Sequence, residues 1–185
     1  PHGALDGYSH ANKDRLPKFI LRYCFIMLIV ILFWAASPVI GLVAFLVYSA
    51  WHFGETDLRE WGFPSIGLSF LWGTMLLAMI LLPHLGEVNT VLEVMGITNV
   101  EWPAEFVNMA TRMTLTIGLF MGLWFRSIPW IVAVVTLSLT AFLPLATAFG
   151  IYFVLQHSLS GWNHLKLSHK WTNLEMWMKA LPFTI

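Results

Sequence analysis

Six apolar stretches follow one another along the chain, each close to the length of a bilayer crossing and each set off by a short polar segment. They cover residues 19–36, 38–53, 64–82, 104–125, 128–143 and 145–164, and residues 171–185 read as the start of a seventh. A helix needs about 20 apolar residues to traverse a hydrocarbon core of about 30 Å. Pro38, Pro64, Pro129 and Pro144 fall at or near the starts of these stretches, where a missing N–H costs least. Only 11% of the 185 residues are charged, against about a quarter in an ordinary soluble domain. That leaves too little polar surface to solvate a globule. The expected fold is all-α, a polytopic transmembrane helix bundle of about six spans plus a partial seventh. Residues 1–185 form one domain in this reading, with the lipid bilayer as its solvent.

Basic residues orient such a bundle. Lys13, Arg15, Lys18 and Arg22 lie around the start of the first stretch, Arg59 between the second and third, and Arg126 between the fourth and fifth. Lys166, Lys170 and Lys179 follow the sixth, whereas residues 83–103 hold Glu87, Glu93 and Glu101 without any Lys or Arg. Six alternating crossings put every basic segment on one side. The expected location is therefore the inner (plasma) membrane, multi-pass, with the amino terminus cytoplasmic. Net charge is zero and no basic patch stands out, so nucleic acid is not an expected partner. The first fifteen residues are polar, and no cleavable signal peptide is expected there. Cys24, the single cysteine, reads as a small buried hydrophobe.

Three polar islands interrupt the apolar chain, and each carries histidine. They are Pro-His-Gly-Ala-Leu-Asp at 1–6, Trp-His-Phe-Gly-Glu-Thr-Asp at 51–57, and Gln-His-Ser-Leu-Ser-Gly-Trp-Asn-His at 156–164. Imidazole beside hydrocarbon needs something to offset its desolvation, and a metal commonly does so. By the orientation above, His2, His52, His157 and His164 share one leaflet and His84 faces the other. His52 closes an apolar stretch, and it reads either as a ligand, with Glu55 or Asp57 fixing its tautomer, or as an interfacial histidine at a helix end. His157 follows Tyr152-Phe153-Val154-Leu155 at membrane depth, where ionisable groups are functional candidates. His164 lies seven residues on, about 10.5 Å along a helix. It joins one site only if Gly161 lets the helix bend; otherwise it is a polar helix end beside Trp162 and Lys166. His2 has Asp6 one helical turn away, or else belongs to a loose terminus. His10 and His169 read as solvated loop. Trp51, Phe53, Tyr152, Phe153 and Trp162 flank the candidate ligands and either wall a slot for a conjugated hydrocarbon or simply pack.

In motif order and hydropathy, the whole chain resembles the Brp/Blh family of membrane β-carotene dioxygenases. Pro-His-Gly-Ala-Leu-Asp, then His52-Phe53-Gly54 with Asp57, then Tyr152-Phe153 and His157-Ser158 carry the resemblance. It implies central cleavage of β-carotene by O₂ to two molecules of retinal, and a functional link to a microbial rhodopsin that uses the product. It also implies one non-haem Fe(2+) held by four histidines. His2, His52 and His157 carry over directly. The family's fourth position falls here on Gly161, and His164 is the nearest substitute. Asp6, Glu55 and Asp57 are expected to orient ligands. Helices before the first motif and after the last are part of the family pattern, so the chain is expected to be a piece of a longer protein.

Imidazole suits ferrous iron and leaves positions open for dioxygen, and a slot opening within the bilayer admits a carotenoid sideways. Two other classes fit less of the sequence. A non-catalytic carotenoid- or haem-binding membrane protein would use His52 and His157 on facing helices. A histidine-box di-iron desaturase needs more clustered histidines than the seven present.

Overall fold

The computed structural model describes residues 16–98, 101–158, 162, 166 and 170–180. They form α1 (Leu16–Ala36), α2 (Pro38–Glu60), α3 (Ile66–Leu81), a 3-10 turn (Leu82–His84), α4 (Leu85–Val94) and α5 (Ala104–Trp124). After these come α6 (Ile128–Thr140), α7 (Leu145–Tyr152), a π-helical turn (Phe153–Ser158) and α8 (Asn173–Ala180). No strand occurs among the described residues. The fold is of the helical membrane-bundle class, as expected.

Among the described residues, three segments are long and apolar enough to cross a membrane: Pro38–Glu60, Ile66–Val94 and Ala104–Trp124. Cys24–Ala36, Ile128–Thr140 and Leu145–Gln156 are apolar but shorter. Two boundaries differ from the sequence reading. The second stretch does not end near Phe53; its helix runs on to Glu60, because Gly54, Asp57 and Leu58 are buried against neighbouring helices. The acidic connection after Leu82 is itself helical over Leu85–Val94. Cys24 is exposed on α1, not buried.

By compactness the chain divides into Pro1–Ser37 with Ser158–Ile185, and Pro38–His157. In the first unit, Met176 of α8 is fully buried against Trp162 and Trp171. Thr172 caps α8 by a reciprocal pair. Its hydroxyl accepts from the Glu175 N–H at 3.3 Å, while the Glu175 carboxylate accepts from the Thr172 N–H at 2.8 Å.

The second unit is built on α2 and α3, which pack antiparallel. In lipid there is little hydrophobic drive to bring helices together, so close backbone approach through small residues matters more. Ala50 and Gly54 on α2 face Ser69 and Gly73 on α3 in a small-xxx-small pattern on each helix. A methyl group at Gly54 would overlap the Ser69 carbonyl, and one at Gly73 would overlap the Ala50 carbonyl. Trp72 of α3 also meets α6. Trp72 and Trp130 are fully buried with ring centroids 4.8 Å apart, and Trp61 lies 5.2 Å and 5.6 Å from them. The Ser127 hydroxyl starts α6 by accepting from the Trp130 N–H at 3.4 Å.

Candidate functional site

His52 sits on α2 two turns before its end and is half-buried. Tyr48, one turn earlier, lies parallel to the imidazole with centroids 5.8 Å apart and planes 4° apart. The spacing of four residues places the two rings on one helix face. The Thr56 hydroxyl donates to the His52 carbonyl at 2.8 Å, a local bond that competes with the helix ladder. Trp51 is exposed, 5.9 Å from Tyr48, on the outer side of the helix.

Phe53, the next residue, turns inward. Its ring is 5.8 Å from His52 and meets Tyr152 edge-on at 6.0 Å and 89°. It meets Phe149 at 6.2 Å and 69°, and Phe149 in turn stacks on Phe153 at 5.9 Å. Three of the five aromatic residues singled out from the sequence, Phe53, Tyr152 and Phe153, therefore share one cluster with His52 at its edge. Trp162 belongs to the other unit, where its ring lies 5.3 Å from Trp177.

Asp57 lies one turn beyond Phe53 on the same buried face, with no exposed surface. Its Oδ2 accepts from the Trp72 indole N–H at 2.9 Å and from the Tyr152 hydroxyl at 2.9 Å. The other oxygen, Oδ1, is buried and has no partner among the described residues. Three helices are thus tied at one carboxylate: α2 through Asp57, α3 through Trp72, α7 through Tyr152. Glu55 points elsewhere and pairs with Arg59, four residues on. Of the three acidic residues expected to orient ligands, Glu55 is therefore engaged by Arg59 and Asp57, through Oδ2, by Trp72 and Tyr152.

Tyr152 ends α7, and the helix then widens into the π-helical turn that carries Phe153 and the backbone of His157. Wide turns of this kind occur often at functional sites, because the extra residue per turn re-aims side chains. The side chain of His157 lies outside the described residues, as do His2, Asp6 and His164. Among the described residues no group of three or more His, Cys, Asp or Glu gathers to hold a metal. His84 is a structural histidine. Its Nδ1 faces the Ile80 carbonyl at 2.6 Å and its Nε2 the Leu143 carbonyl at 2.7 Å. Each nitrogen faces a backbone carbonyl, and the ring N–H donates to one of them according to the tautomer.

A family model described as beta-carotene 15,15'-dioxygenase matches residues 1–185. The chain belongs to the beta-carotene 15,15'-dioxygenase family. No curated protein and no solved structure matches it.

The aromatic cluster is a largely apolar surface beside His52. Ring faces and edges are the surfaces against which a conjugated hydrocarbon packs without losing hydrogen bonds. Three residues of the site were not anticipated from sequence. Tyr48 was accessible through its four-residue spacing to His52, and Phe149 through its three- and four-residue spacings to Tyr152 and Phe153. Trp72 had no such signal, because its bond to Asp57 depends on how closely α2 and α3 approach.

Proposed function

We propose that this chain cleaves β-carotene at its central double bond with O₂, giving two molecules of retinal. The reading rests on the family match over residues 1–185. The reaction balances without another reductant: the central C=C breaks, and each carbon takes one oxygen atom of O₂ as an aldehyde. Fe(2+) is the proposed cofactor, with His2, His52, His157 and His164 as its ligands. The donor chemistry near His52 fits this choice. Glu55 is paired with Arg59, and Asp57 Oδ2 is held by Trp72 and Tyr152, while the His52 imidazole is a nitrogen donor of the kind ferrous iron accepts. Bound ferrous iron supplies the centre at which dioxygen is activated.

The residues of the chain supply position and exclusion of water. Tyr48 holds the plane of the His52 ring by stacking on it. Phe53, Phe149 and Phe153 present aromatic surface on which a polyene lies beside His52. The Asp57 carboxylate fixes the Tyr152 ring, which closes the inner side of that surface. Placing the scissile bond in this way lowers the entropic part of the barrier. The site is proposed to lie towards the cytoplasmic side of the inner membrane, with retinal passing to a microbial rhodopsin.

The test is retinal formation in a β-carotene-producing host, with iron measured on the detergent-purified protein. His52→Ala is expected to abolish retinal and lower bound iron while the protein still accumulates in the membrane. Full retinal output from His52→Ala would remove His52 from the mechanism. A Soret band on the purified wild-type protein would point to haem binding instead.

A further inference from the structure

A cavity of about 570 Å³ opens between α2, α3, α4 and α7, within the size range of small-molecule sites. Phe45, Leu46, Leu81, Ala146 and Phe149 form its apolar wall, with Glu87 at its rim. The polar groups at that rim are turned to backbone. The Glu87 carboxylate accepts from the Leu145 N–H at 3.1 Å and 3.2 Å, and the Thr90 hydroxyl donates to the Gly86 carbonyl at 3.1 Å. His84 reaches across to the Leu143 carbonyl at 2.7 Å. Together His84 and Glu87 fasten the α6–α7 corner to the 3-10 turn and α4. A hollow of about 610 Å³ along α5 differs, because among the described residues its lining, from Glu105 to Ile117, comes from that one helix.

The four-helix cavity adjoins the candidate site through packed aromatic rings. Phe149 lines it and touches Phe53, which touches His52. Phe45 lies seven residues before His52 on α2, about 10.5 Å along the helix axis. That is shorter than half of an extended forty-carbon carotenoid. A molecule centred at His52 and running along α2 in this direction therefore carries one ring end to this cavity.

We infer that the cavity seats one terminal ring of the carotenoid together with the adjoining part of its polyene. The inference rests on the dioxygenase reading. It assigns Ala146, Leu46 and Phe149 to recognition of the ring end, away from the metal.

Two tryptophan variants of α7 test the assignment. Ala146→Trp fills the cavity, and Thr147→Trp places the same bulk on the neighbouring exposed position. Each is assayed on β-carotene and on an apocarotenal that keeps one ring and lacks the other. Ala146→Trp is expected to slow β-carotene cleavage about tenfold or more, the rate equivalent of an overpacking cost. It is expected to leave apocarotenal cleavage near wild type, since the truncated end takes the narrowed cavity. Thr147→Trp should alter neither. In a His52→Ala background, which does not consume substrate, Ala146→Trp should lower the β-carotene that co-purifies in detergent. Unchanged β-carotene cleavage or unchanged co-purification in Ala146→Trp, as when a lipid chain is the occupant, overturns the assignment. So does equal loss on both substrates. Absence of retinal from any carotenoid with the wild-type protein instead overturns the dioxygenase reading itself.

Discussion

Tyr152 and Asp57 stand 95 residues apart in sequence, yet the Tyr152 hydroxyl donates to Asp57 Oδ2 at 2.9 Å in the fully buried interior. The bond joins the first turn after His52 to the last turn before the π-helical segment bearing His157. Two of the three histidine-bearing motifs are therefore coupled through a carboxylate and a phenol, with Trp72 as the second donor. A buried carboxylate survives in such surroundings only while donors face it.

Tyr152→Phe removes one donor and leaves Asp57 with Trp72 alone. The expected loss of stability is about 1 kcal/mol, since hydrogen bonds within membrane bundles contribute modestly. Asp57→Leu is expected to cost more, about 1–3 kcal/mol, because it strands both the indole N–H and the phenol. Denaturation of the purified protein in mixed detergent measures both. Retinal formation should fall in Tyr152→Phe even where the fold is retained, as the Tyr152 ring loses its tether. Equal stability and activity of Tyr152→Phe and wild type would show that the bond holds nothing in place.

The crossing of α2 and α3 makes a second prediction. Gly54→Ala sets a methyl group against the Ser69 backbone carbonyl, and Gly73→Ala sets one against that of Ala50. Backbone cannot rotate aside as a side chain can, so the helices must separate. The cost is expected at or above the upper end of ordinary overpacking, about 3 kcal/mol. Gly67→Ala is the control: nothing lies within 4 Å of its added methyl, and alanine favours helix by up to about 1 kcal/mol. Thermal stability should drop sharply in the first two variants and hold or rise in the third. Similar behaviour of all three would rule out the close crossing.

Most of the helices are legible in the sequence because hydrocarbon admits only closed backbone hydrogen bonding, so a long apolar run has one regular choice. What escapes is fixed by neighbours. Gly-Glu-Thr-Asp after Phe53 has the composition of an interface and so suggests that the second stretch stops there. The helix continues because Gly54 permits the approach of α3, and Asp57 finds donors on two other helices. Leu85–Val94 is hidden in a segment whose glutamates suggest a solvated connection, whereas Glu87 is spent on the Leu145 N–H. At the site, His52 with Phe53 and Tyr152 with Phe153 are legible as motif neighbours. Their convergence is not, since no local spacing encodes a contact between α2 and α7.

Glu55 offers a direct discrimination. Its carboxylate pairs with Arg59 one turn on, and Arg59 is largely exposed. Exposed pairs of this spacing contribute under about 0.5 kcal/mol. Arg59→Ala is therefore expected to leave stability nearly unchanged and to free Glu55. If Glu55 orients His52, Glu55→Gln lowers retinal formation while Arg59→Ala does not. If both variants match wild type in retinal yield, Glu55 has no part in the site.

His84 separates structural from metal-binding histidines. It is buried, and its two ring nitrogens are directed at the carbonyls of Ile80 and Leu143, the second 59 residues away. No nitrogen remains for a metal. His84→Ala removes the ring that lies between the Ile80 and Leu143 carbonyls and frees the α6–α7 corner, at an expected cost of about 1–3 kcal/mol. Bound iron per folded protein should be unchanged in His84→Ala and reduced in His52→Ala. The pair of variants thus divides the two histidines by kind: one loses stability and keeps metal, the other loses metal and keeps the fold. Iron lost from His84→Ala at unaltered stability would place it among the ligands and would require a different site from the one built around His52.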